Sequence, residues 1–260
     1  MTLSIQIFLL IFARVMGAVG TAPLFGHPQV PAVWKIGFSF FLAVIVASAM
    51  KLQGGAVAAL RHAALVQLIV PLAVQSLVGA AIGLCGSVVF AAVQFSGELL
   101  DIQIGFSLAQ LLSPGMTGSS GLIANFQYIL FSLWFLSVNG HYALVLAFLD
   151  SFQAVPLAAS MKTEPLAVIF LHQIVELFIV GMQLAAPVML ALFLTNISLA
   201  IASRAVPQMN VFVVGMPAAL LVGLALLVVV LPAMGNLFGG LLTQMEQAIT
   251  QVFYGLGGRV

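Results

Sequence analysis

Residues 211–231 of the sequence read VFVVGMPAALLVGLALLVVVL, and this stretch decides the fold class. It contains no charged residue, and Pro217 lies near its start. A helix needs roughly 20 apolar residues to cross the hydrocarbon core of a bilayer, which is the length of this stretch. The stretch therefore predicts a transmembrane helix.

The composition extends this prediction to the whole chain. Of the 260 residues, 63% are apolar and 5% are charged, and the mean hydropathy is +1.26. A soluble domain carries about 25% charged residues, so this chain cannot build a surface that faces water. Seven basic residues against six acidic ones give a net charge of +1, which offers no basic stripe for nucleic acid. We expect an all-α membrane protein. Membrane lipid is expected to be one of its partners, and nucleic acid is not.

Five further apolar runs precede this stretch, and two of them are too long for one ordinary span. They are residues 5–25, 36–50, 63–93, 122–149 and 166–202, and residues 139–141 (NGH) break the fourth of them. The long runs 63–93 and 166–202 contain Pro71 and Pro187, so the first can be a kinked helix or two half-helices. Irregular backbone of this kind is tolerated where it is buried in protein. We predict long kinked and broken helices and helical hairpins.

Polar segments separate the runs. We predict a turn at 26–35, a polar connector at 150–165, a short turn at 204–210 and a separate tail at 232–260. Segment 94–121 follows the third apolar run, and its second part is a loop rich in Gly, Ser and Pro. No basic residue precedes the first run, so we expect it to be retained rather than cleaved as a signal peptide. The basic residues of the loops mildly favour a cytoplasmic N-terminus, and the count reverses if either long run is a hairpin.

Arg14 interrupts the first apolar run. A charge at membrane depth is kept where it faces other protein or a water-filled path, or where it reaches the interface near a helix end. Both alternatives are open for Arg14. In the third run, Gly79 and Gly83 form a small-residue face that allows another helix to approach closely.

Two patterns suggest chemistry. His172 and Glu176 share one helix face, which suits a proton relay in a secondary transporter or channel and equally a pair that satisfies itself structurally. Residues 118–121 (GSSG) match the G-x-S-G pattern of intramembrane serine proteases, with Ser120 as nucleophile and His141 or His172 as base. Such tetrapeptides arise readily in a stretch rich in Gly and Ser.

The remaining motifs argue against an enzyme. The histidines are scattered, no HExxH occurs, and the single cysteine rules out a Cys-based metal site, so we expect no metal and no cofactor. No P-loop occurs, and the carboxylates are too few for a paired acid/base site. We expect no catalytic residue.

Several phrases, in order, carry a resemblance to a known family. They are residues 13–16 (ARVM), 21–25 (TAPLF), 30–32 (VPA), 35–37 (KIG), 97–107 (GELLDIQIGFS), 113–114 (SP), 139–141 (NGH), 150–152 (DSF) and 204–212 (RAVPQMNVF). In this order and spacing they resemble the FliR family of flagellar biosynthetic proteins, whose relatives serve in virulence type III secretion. Residues 139–141 (NGH) and Asp150 resemble the flagellar branch of this family.

The resemblance implies a non-enzymatic subunit of the flagellar export gate in the bacterial inner membrane, at the flagellar basal body. Its partners would be FliP-like and FliQ-like subunits, the large FlhB-type and FlhA-type gate proteins, and unfolded flagellar proteins as substrates. Residues 1–165 would form a FliP-like part and residues 166–231 a FliQ-like hairpin, followed by the tail 232–260.

The resemblance also implies that residues 105–121 form a plug in the resting pore. Bulky apolar groups in a narrow lumen exclude water and ions, and glycines let a loop swing aside. The residues of this plug are Gly105, Phe106, Leu108, Leu111, Leu112, Pro114 and Met116. The stretch after it, residues 122–127, is uncharged, so a salt bridge that holds the plug there is not expected.

Subunit packing is expected of six residues. Glu98 and Asp101 lie three apart, on one face if helical, and could pair with a basic residue of a neighbouring subunit. The six residues are Arg14, Gly79, Gly83, Glu98, Asp101 and Arg204.

Overall fold

The computed structural model describes residues 5–49, 68–105, 121–157, 164–205 and 211–256. In these ranges the chain forms helices and no strand, which confirms the all-α prediction. The helices are α1 (Ile5–Thr21), α2 (Ala32–Ala49), α3 (Ile69–Ile104), α4 (Leu122–Ser137), α5 (Gly140–Ala154), α6 (Glu164–Ala205) and α7 (Val211–Gly255).

Three of these helices are long and apolar enough to cross a membrane. They are α3 with 36 residues, α6 with 42 and α7 with 45. At a rise of 1.5 Å per residue they are about 54, 63 and 68 Å long, against a hydrocarbon core of about 30 Å. If α4 and α5 count as one broken span, the described residues hold up to four candidate spans.

From Ile69 onward, the third apolar run is one helix that continues past its apolar end. Segment 94–121 differs from the sequence prediction because α3 ends only at Ile104. The reason is periodic burial: Ser96, Leu100 and Ile104, four residues apart, are all buried and extend one helix face. Glu98 and Asp101 therefore lie on a regular helix.

Other helix boundaries also differ from those of the apolar runs. Helix α2 begins at Ala32 and α5 ends at Ala154, so both take residues from segments predicted as turn or connector. Helix α7 continues across Pro232 to Gly255, where a separate tail was predicted. A proline removes one backbone hydrogen bond of a helix. A membrane helix can continue through it where neighbouring parts of the protein satisfy the freed backbone group.

The predicted break at residues 139–141 is confirmed. Helix α4 ends at Ser137, and Asn139 adopts the left-handed conformation, with φ 59° and ψ 29°. Asn is among the few residues that adopt this conformation readily, and a residue in this conformation interrupts a right-handed helix. Gly140 then begins α5.

The chain divides into two compact units. The first comprises Met1–Val89, Asn139–Ile174 and Thr243–Val260, and the second Phe90–Val138 and Val175–Leu242. Each has its own apolar core. The core of the first unit is Ile7, Leu10, Ile11, Val15, Ala18, Val19, Ala43, Val46, Ala47, Phe148, Phe152 and Leu157. That of the second is Leu100, Ile104, Ile123, Ala185, Val188, Leu192, Ala219 and Leu227.

Glycines bring α1 and α3 into backbone contact in the first unit. A Cβ atom on Gly79 would collide with the carbonyl oxygen of Arg14, and one on Gly17 would collide with that of Ser76. A Cβ atom on Gly83 would collide with the hydroxyl of Thr21. The small-residue face of α3 thus packs closely against another helix, and this helix belongs to the same chain.

We expect Gly79→Ala to destabilise the chain by about 1–3 kcal/mol, because the added methyl group meets backbone that cannot rotate away. Gly37→Ala on α2 is the matched control, since a Cβ atom there would meet nothing within 4 Å. Thermal unfolding of the detergent-purified chain measures both. An unfolding temperature of Gly79→Ala equal to that of the unsubstituted chain would contradict the close packing of α1 and α3.

Candidate functional site

The C-terminal end of α5 is held by an arginine in the middle of α1. Arg14 has none of its surface exposed. Its Nε donates a hydrogen bond to Oε1 of Gln75 on α3 at 2.6 Å. Its two terminal nitrogens donate to the backbone carbonyls of Ser151 and Val155, each at 2.8 Å. One guanidinium therefore joins α1, α3 and α5, and we call these four residues the arginine node.

The arginine node uses the electrostatics of a helix end. The last carbonyls of a helix have no partner within it, and they carry the negative end of the helix dipole. Val155 is the C-cap of α5, so the cation of Arg14 lies where that partial charge is concentrated. The ring of Phe152 adds a cation–π contact, with its centroid 4.4 Å from Cζ of Arg14. The structure decides between the two alternatives for Arg14: its side chain faces other parts of the protein.

Gln75 completes the node. Its Oε1 accepts from Arg14, and its Nε2 donates to the carbonyl of Leu157 at 3.0 Å. Both ends of this buried amide are therefore satisfied, which avoids the free-energy penalty of burying an unpaired polar group. The amide also ties the residues that follow α5 to α3.

A second buried charge holds the beginning of α4, in the second unit. Asp101 on α3 is 3% exposed. Its Oδ1 accepts from the N–H of Ile123 and its Oδ2 from that of Ala124, both at 3.0 Å. The N-cap residue of α4 is Gly121, which has no side chain to perform this role. Asp101 caps α4 from another helix, and its negative charge lies at the positive end of the α4 dipole.

Two glycines make room for this carboxylate. A Cβ atom on Gly121 would collide with the carboxyl group of Asp101. One on Gly97 would collide with Cα of Ala124 and lie 2.7 Å from its nitrogen. Helices α3 and α4 thus approach each other backbone to backbone around the carboxylate. We call Gly97, Asp101 and Gly121, with the two N–H groups, the aspartate node.

The residues predicted for subunit packing fall into two groups. Arg14, Gly79, Gly83 and Asp101 make their contacts within this chain, and Arg14 keeps no surface for a second subunit. Glu98 and Arg204 are exposed. The two acids of α3 therefore do not act as a pair: Asp101 is buried in the aspartate node, and exposed Glu98 accepts a long hydrogen bond of 3.4 Å from Gln94.

Most of the predicted plug lies outside the described residues, as does Ser120. This holds for Phe106, Leu108, Leu111, Leu112, Pro114 and Met116. Gly105 is described: it has a φ of +95°, and its N–H donates to the carbonyl of Asp101 at 3.1 Å. A positive φ favours glycine, so Gly105 ends α3 at the beginning of this segment.

The structure places His172 and Glu176 on one helix, α6, where His172 is exposed and Glu176 is half-buried. In the part of the chain that the structure describes, no three or more His, Cys, Asp or Glu side chains come together in a way that could hold a metal ion.

Sequence reasoning missed the partners of both buried charges. Gln75 is one of several polar residues scattered through an apolar run, and the acceptors on Ser151 and Val155 are backbone atoms that no residue type reveals. One signal was available. The phrase 13–16 that contains Arg14 and the phrase 150–152 that contains Ser151 are both among the recognised ones, and the fold brings them together.

Comparison with known proteins gives the family. A family model described as "Bacterial export proteins, family 1" matches residues 5–245. The chain belongs to this family. It is 38% identical over 225 residues to the flagellar biosynthetic protein FliR of Bacillus subtilis (strain 168), and the match covers 85% of each chain. The match to FliR of Escherichia coli (strain K12) is 30% identical over 220 residues and covers 84% of this chain and 82% of that protein. FliR of Pectobacterium carotovorum subsp. carotovorum is 29% identical over 245 residues, covering 93% and 92%.

Family membership confirms the resemblance drawn from the ordered phrases. The matched region contains both nodes and all seven described helices, the last of them in part. Together with three apolar helices long enough to span a bilayer, it confirms an all-α membrane protein of an export family.

We expect Arg14→Lys to destabilise the chain by about 2–3 kcal/mol. A lysine carries its three donors on one atom and cannot reach acceptors that lie on separate sides of a guanidinium, so buried acceptors lose a charged partner. Arg204→Lys, the same substitution at an exposed position, should change the stability by no more than about 0.5 kcal/mol. Thermal unfolding in detergent compares the two. Equal unfolding temperatures would show that the fork geometry of Arg14 is not needed.

Proposed function

We propose that this chain is a non-enzymatic subunit of the flagellar type III protein export gate, located in the bacterial inner membrane at the flagellar basal body. The observation that carries this proposal is the family match across residues 5–245, together with relatives named flagellar biosynthetic protein FliR that align over most of their length. The gate would be a channel for unfolded flagellar proteins, built with FliP-like and FliQ-like subunits and joined by the FlhB-type and FlhA-type proteins.

The exposed surface of the chain supports an assembly. In the most apolar 18-residue window of each helix, the described residues bury 28% of the window in α6 and 22% in α7. The large apolar side chains exposed on α6 and α7 are Val168, Leu171, Ile174, Val175, Phe178, Ile179, Met182, Leu190, Phe193, Leu194, Ile197, Ile201, Val214, Leu221, Leu224, Val228, Val229 and Leu237, with Tyr254 near the end of α7. Apolar surface of this extent needs either lipid or protein neighbours.

The length of α7 indicates that lipid alone does not supply those neighbours. The first charged residue on α7 is Glu246, and the uncharged part up to Leu242 is about 48 Å long at 1.5 Å per residue. A hydrocarbon core of about 30 Å, crossed at a tilt of at most about 40°, accommodates about 39 Å. Part of this apolar helix therefore lies beyond the lipid tails, where sister subunits can cover it. We propose that residues 166–231, which include most of α6 and the first part of α7, form the FliQ-like hairpin.

Co-purification tests the assembly. An affinity tag on this chain, co-expressed with the FliP-like and FliQ-like proteins of the same genome, should recover all three in a fixed ratio. Exposed Glu98 and Arg204 are the charged groups we assign to contacts with these subunits. A chain that is stable and monodisperse without them would favour the alternative, a transporter with a site around His172 and Glu176.

We also propose that residues 105–121 plug the resting channel. Five bulky apolar side chains in this segment, Phe106, Leu108, Leu111, Leu112 and Met116, can form a constriction that stays free of water and so blocks ions. The two described ends of the segment lie at the aspartate node: the N–H of Gly105 donates to the backbone carbonyl of Asp101, and Gly121 lies against the Asp101 carboxyl group.

We expect a chain that lacks residues 106–120 to assemble with its partners and to make the membrane permeable to ions, because the apolar constriction is gone. Replacement of the five bulky residues by Ser should have the same effect at unchanged segment length. Ion flux across vesicles that contain the purified complex measures both.

Ser120→Ala is the control for this experiment. It changes the same segment without removing an apolar group, so the vesicles should stay tight. The same variant tests the protease alternative. In that alternative Ser120 would be the nucleophile, and Ser120→Ala would abolish proteolytic activity. Vesicles that stay impermeable to ions with the chain that lacks residues 106–120 would contradict the plug proposal.

A further inference from the structure

We propose that the first compact unit binds one phospholipid molecule. Part of an acyl chain occupies an apolar pocket between α1, α2 and α5, and the phosphate group binds at Lys35. The site lies within the described residues. It concerns the chain as a membrane protein and does not depend on the channel or the plug proposed above.

The pocket is a cavity of about 50 Å³ that opens to the surface. Its walls include Val15 and Val19 of α1, Leu42 of α2, and Leu144 and Phe148 of α5. A volume of about 15 Å³ is enough for one water molecule, but a cavity with apolar walls stays dry and accepts apolar guests. Walls that face empty space also lose dispersion contacts. The pocket therefore suits a short stretch of hydrocarbon rather than water.

Two aromatic rings stand at the mouth of the pocket. Phe25 and Phe38 line it, are 37% and 39% exposed, and stack with 5.3 Å between their ring centroids. Phe38 also lines a shallow depression on the outer face of α2, together with Trp34 and Phe41. Both of these aromatic side chains are exposed. An apolar surface of this kind therefore leads from the outside of α2 into the pocket.

Lys35 places a positive charge beside this mouth. Its Nζ donates a hydrogen bond to the carbonyl of Gly26 at 2.9 Å, and Gly26 directly follows Phe25. An ammonium group has three donors, and this bond uses one of them. Trp and basic residues anchor membrane proteins at the level of the lipid headgroups, and exposed Trp34 precedes Lys35. Lys35 is therefore placed to bind the phosphate of a lipid whose chain enters the pocket.

His141 gives the pocket one polar atom. Among the described residues that line the pocket, His141 alone carries a polar side chain. Its Nδ1 is buried and has no hydrogen-bond partner in the part of the chain that the structure describes. An unpaired buried polar atom costs free energy. In the tautomer with a proton on Nδ1, it can donate to an ester carbonyl, the group that joins the acyl chain to the glycerol of a phospholipid.

The order of these groups along the pocket matches the order of groups in a phospholipid. Helix α5 ends at Arg14 in the middle of α1, so its beginning, with His141, lies toward the end of α1 and the mouth. Phe148 lies seven residues after His141, which is about 10 Å further along α5. Charge, hydrogen-bonding atom and apolar wall thus follow one another as phosphate, ester and acyl chain do.

Native mass spectrometry of the full-length chain in detergent, with phosphatidylglycerol as the probe, tests the pocket. We expect a single phosphatidylglycerol to remain bound to each chain. Val145→Phe fills the pocket from α5 and should remove this lipid. Val168→Phe is the matched control, because it is the same substitution at an exposed position on α6, and it should retain the lipid.

Lys35→Gln tests the phosphate contact. Diacylglycerol with the same acyl chains lacks the phosphate and is the second probe. The unsubstituted chain should bind phosphatidylglycerol about two- to fivefold more tightly than diacylglycerol, as expected for an ion pair that is partly exposed. Lys35→Gln should bind both probes equally. Arg204→Gln, which removes a positive charge at an exposed position on α6, should keep the preference.

Several results would overturn the proposal. If Val145→Phe retains as much lipid as the unsubstituted chain, the lipid is not in the pocket. Equal binding of the two probes by the unsubstituted chain, or a bound detergent molecule that phosphatidylglycerol does not displace, would rule out a phospholipid site. Loss of the lipid when the chain assembles with its FliP-like and FliQ-like partners would show that a sister subunit covers the pocket instead.

A second variant covers the case in which Val145→Phe does not give a folded chain. Ala22→Leu fills the same pocket from the connector that follows α1, and it is judged by the same criteria.

Discussion

A charged side chain shielded from water needs hydrogen-bond partners inside the protein, and in this apolar chain helix ends supply them. The cation of Arg14 lies at the C-terminal carbonyls of α5, and the anion of Asp101 lies at the N-terminal N–H groups of α4. In each case the sign of the charge matches the sign of the helix dipole. Unpaired, either charge would cost several kcal/mol, and so would the helix end that it satisfies. Each buried charge therefore sets where its partner helix begins or ends.

Small residues make these contacts possible. Gly79 and Gly83 bring α1 against α3 in the first unit, and Gly97 and Gly121 bring α3 against α4 in the second. Close approach of this kind is how helices pack where lipid offers no hydrophobic driving force between them. Arg14, Asp101 and these glycines thus make their contacts inside the chain, and many bulky apolar groups remain on the outside. A chain with its polar contacts inside and its apolar surface outside is suited to be one part of a membrane assembly.

The sequence predicted a large share of the fold, and its errors have one cause. The apolar runs, the break at Asn139 and the close approach at Gly79 and Gly83 all recur in the structure. The boundaries at Val93 and Pro232 do not, because an apolar run measures compatibility with lipid, whereas a helix continues as long as one of its faces is packed. Beyond Val93 the buried face of α3 continues through Leu100 to Ile104, so the helix continues too.

The two nodes show the limit of sequence reasoning. From the sequence, Arg14 stood out as a charge inside an apolar run and Asp101 as a residue expected to take part in subunit packing, and their phrases already indicated the family. Their partners could not be found that way, since four of them are backbone atoms of Ser151, Val155, Ile123 and Ala124. Every residue has such atoms, and only a helix end leaves them unpaired. The sequence by itself determined an all-α membrane protein and marked Arg14 as a charge that needs partners. Only the tertiary structure decided which helix ends those charges meet, because that depends on which helices come together in space.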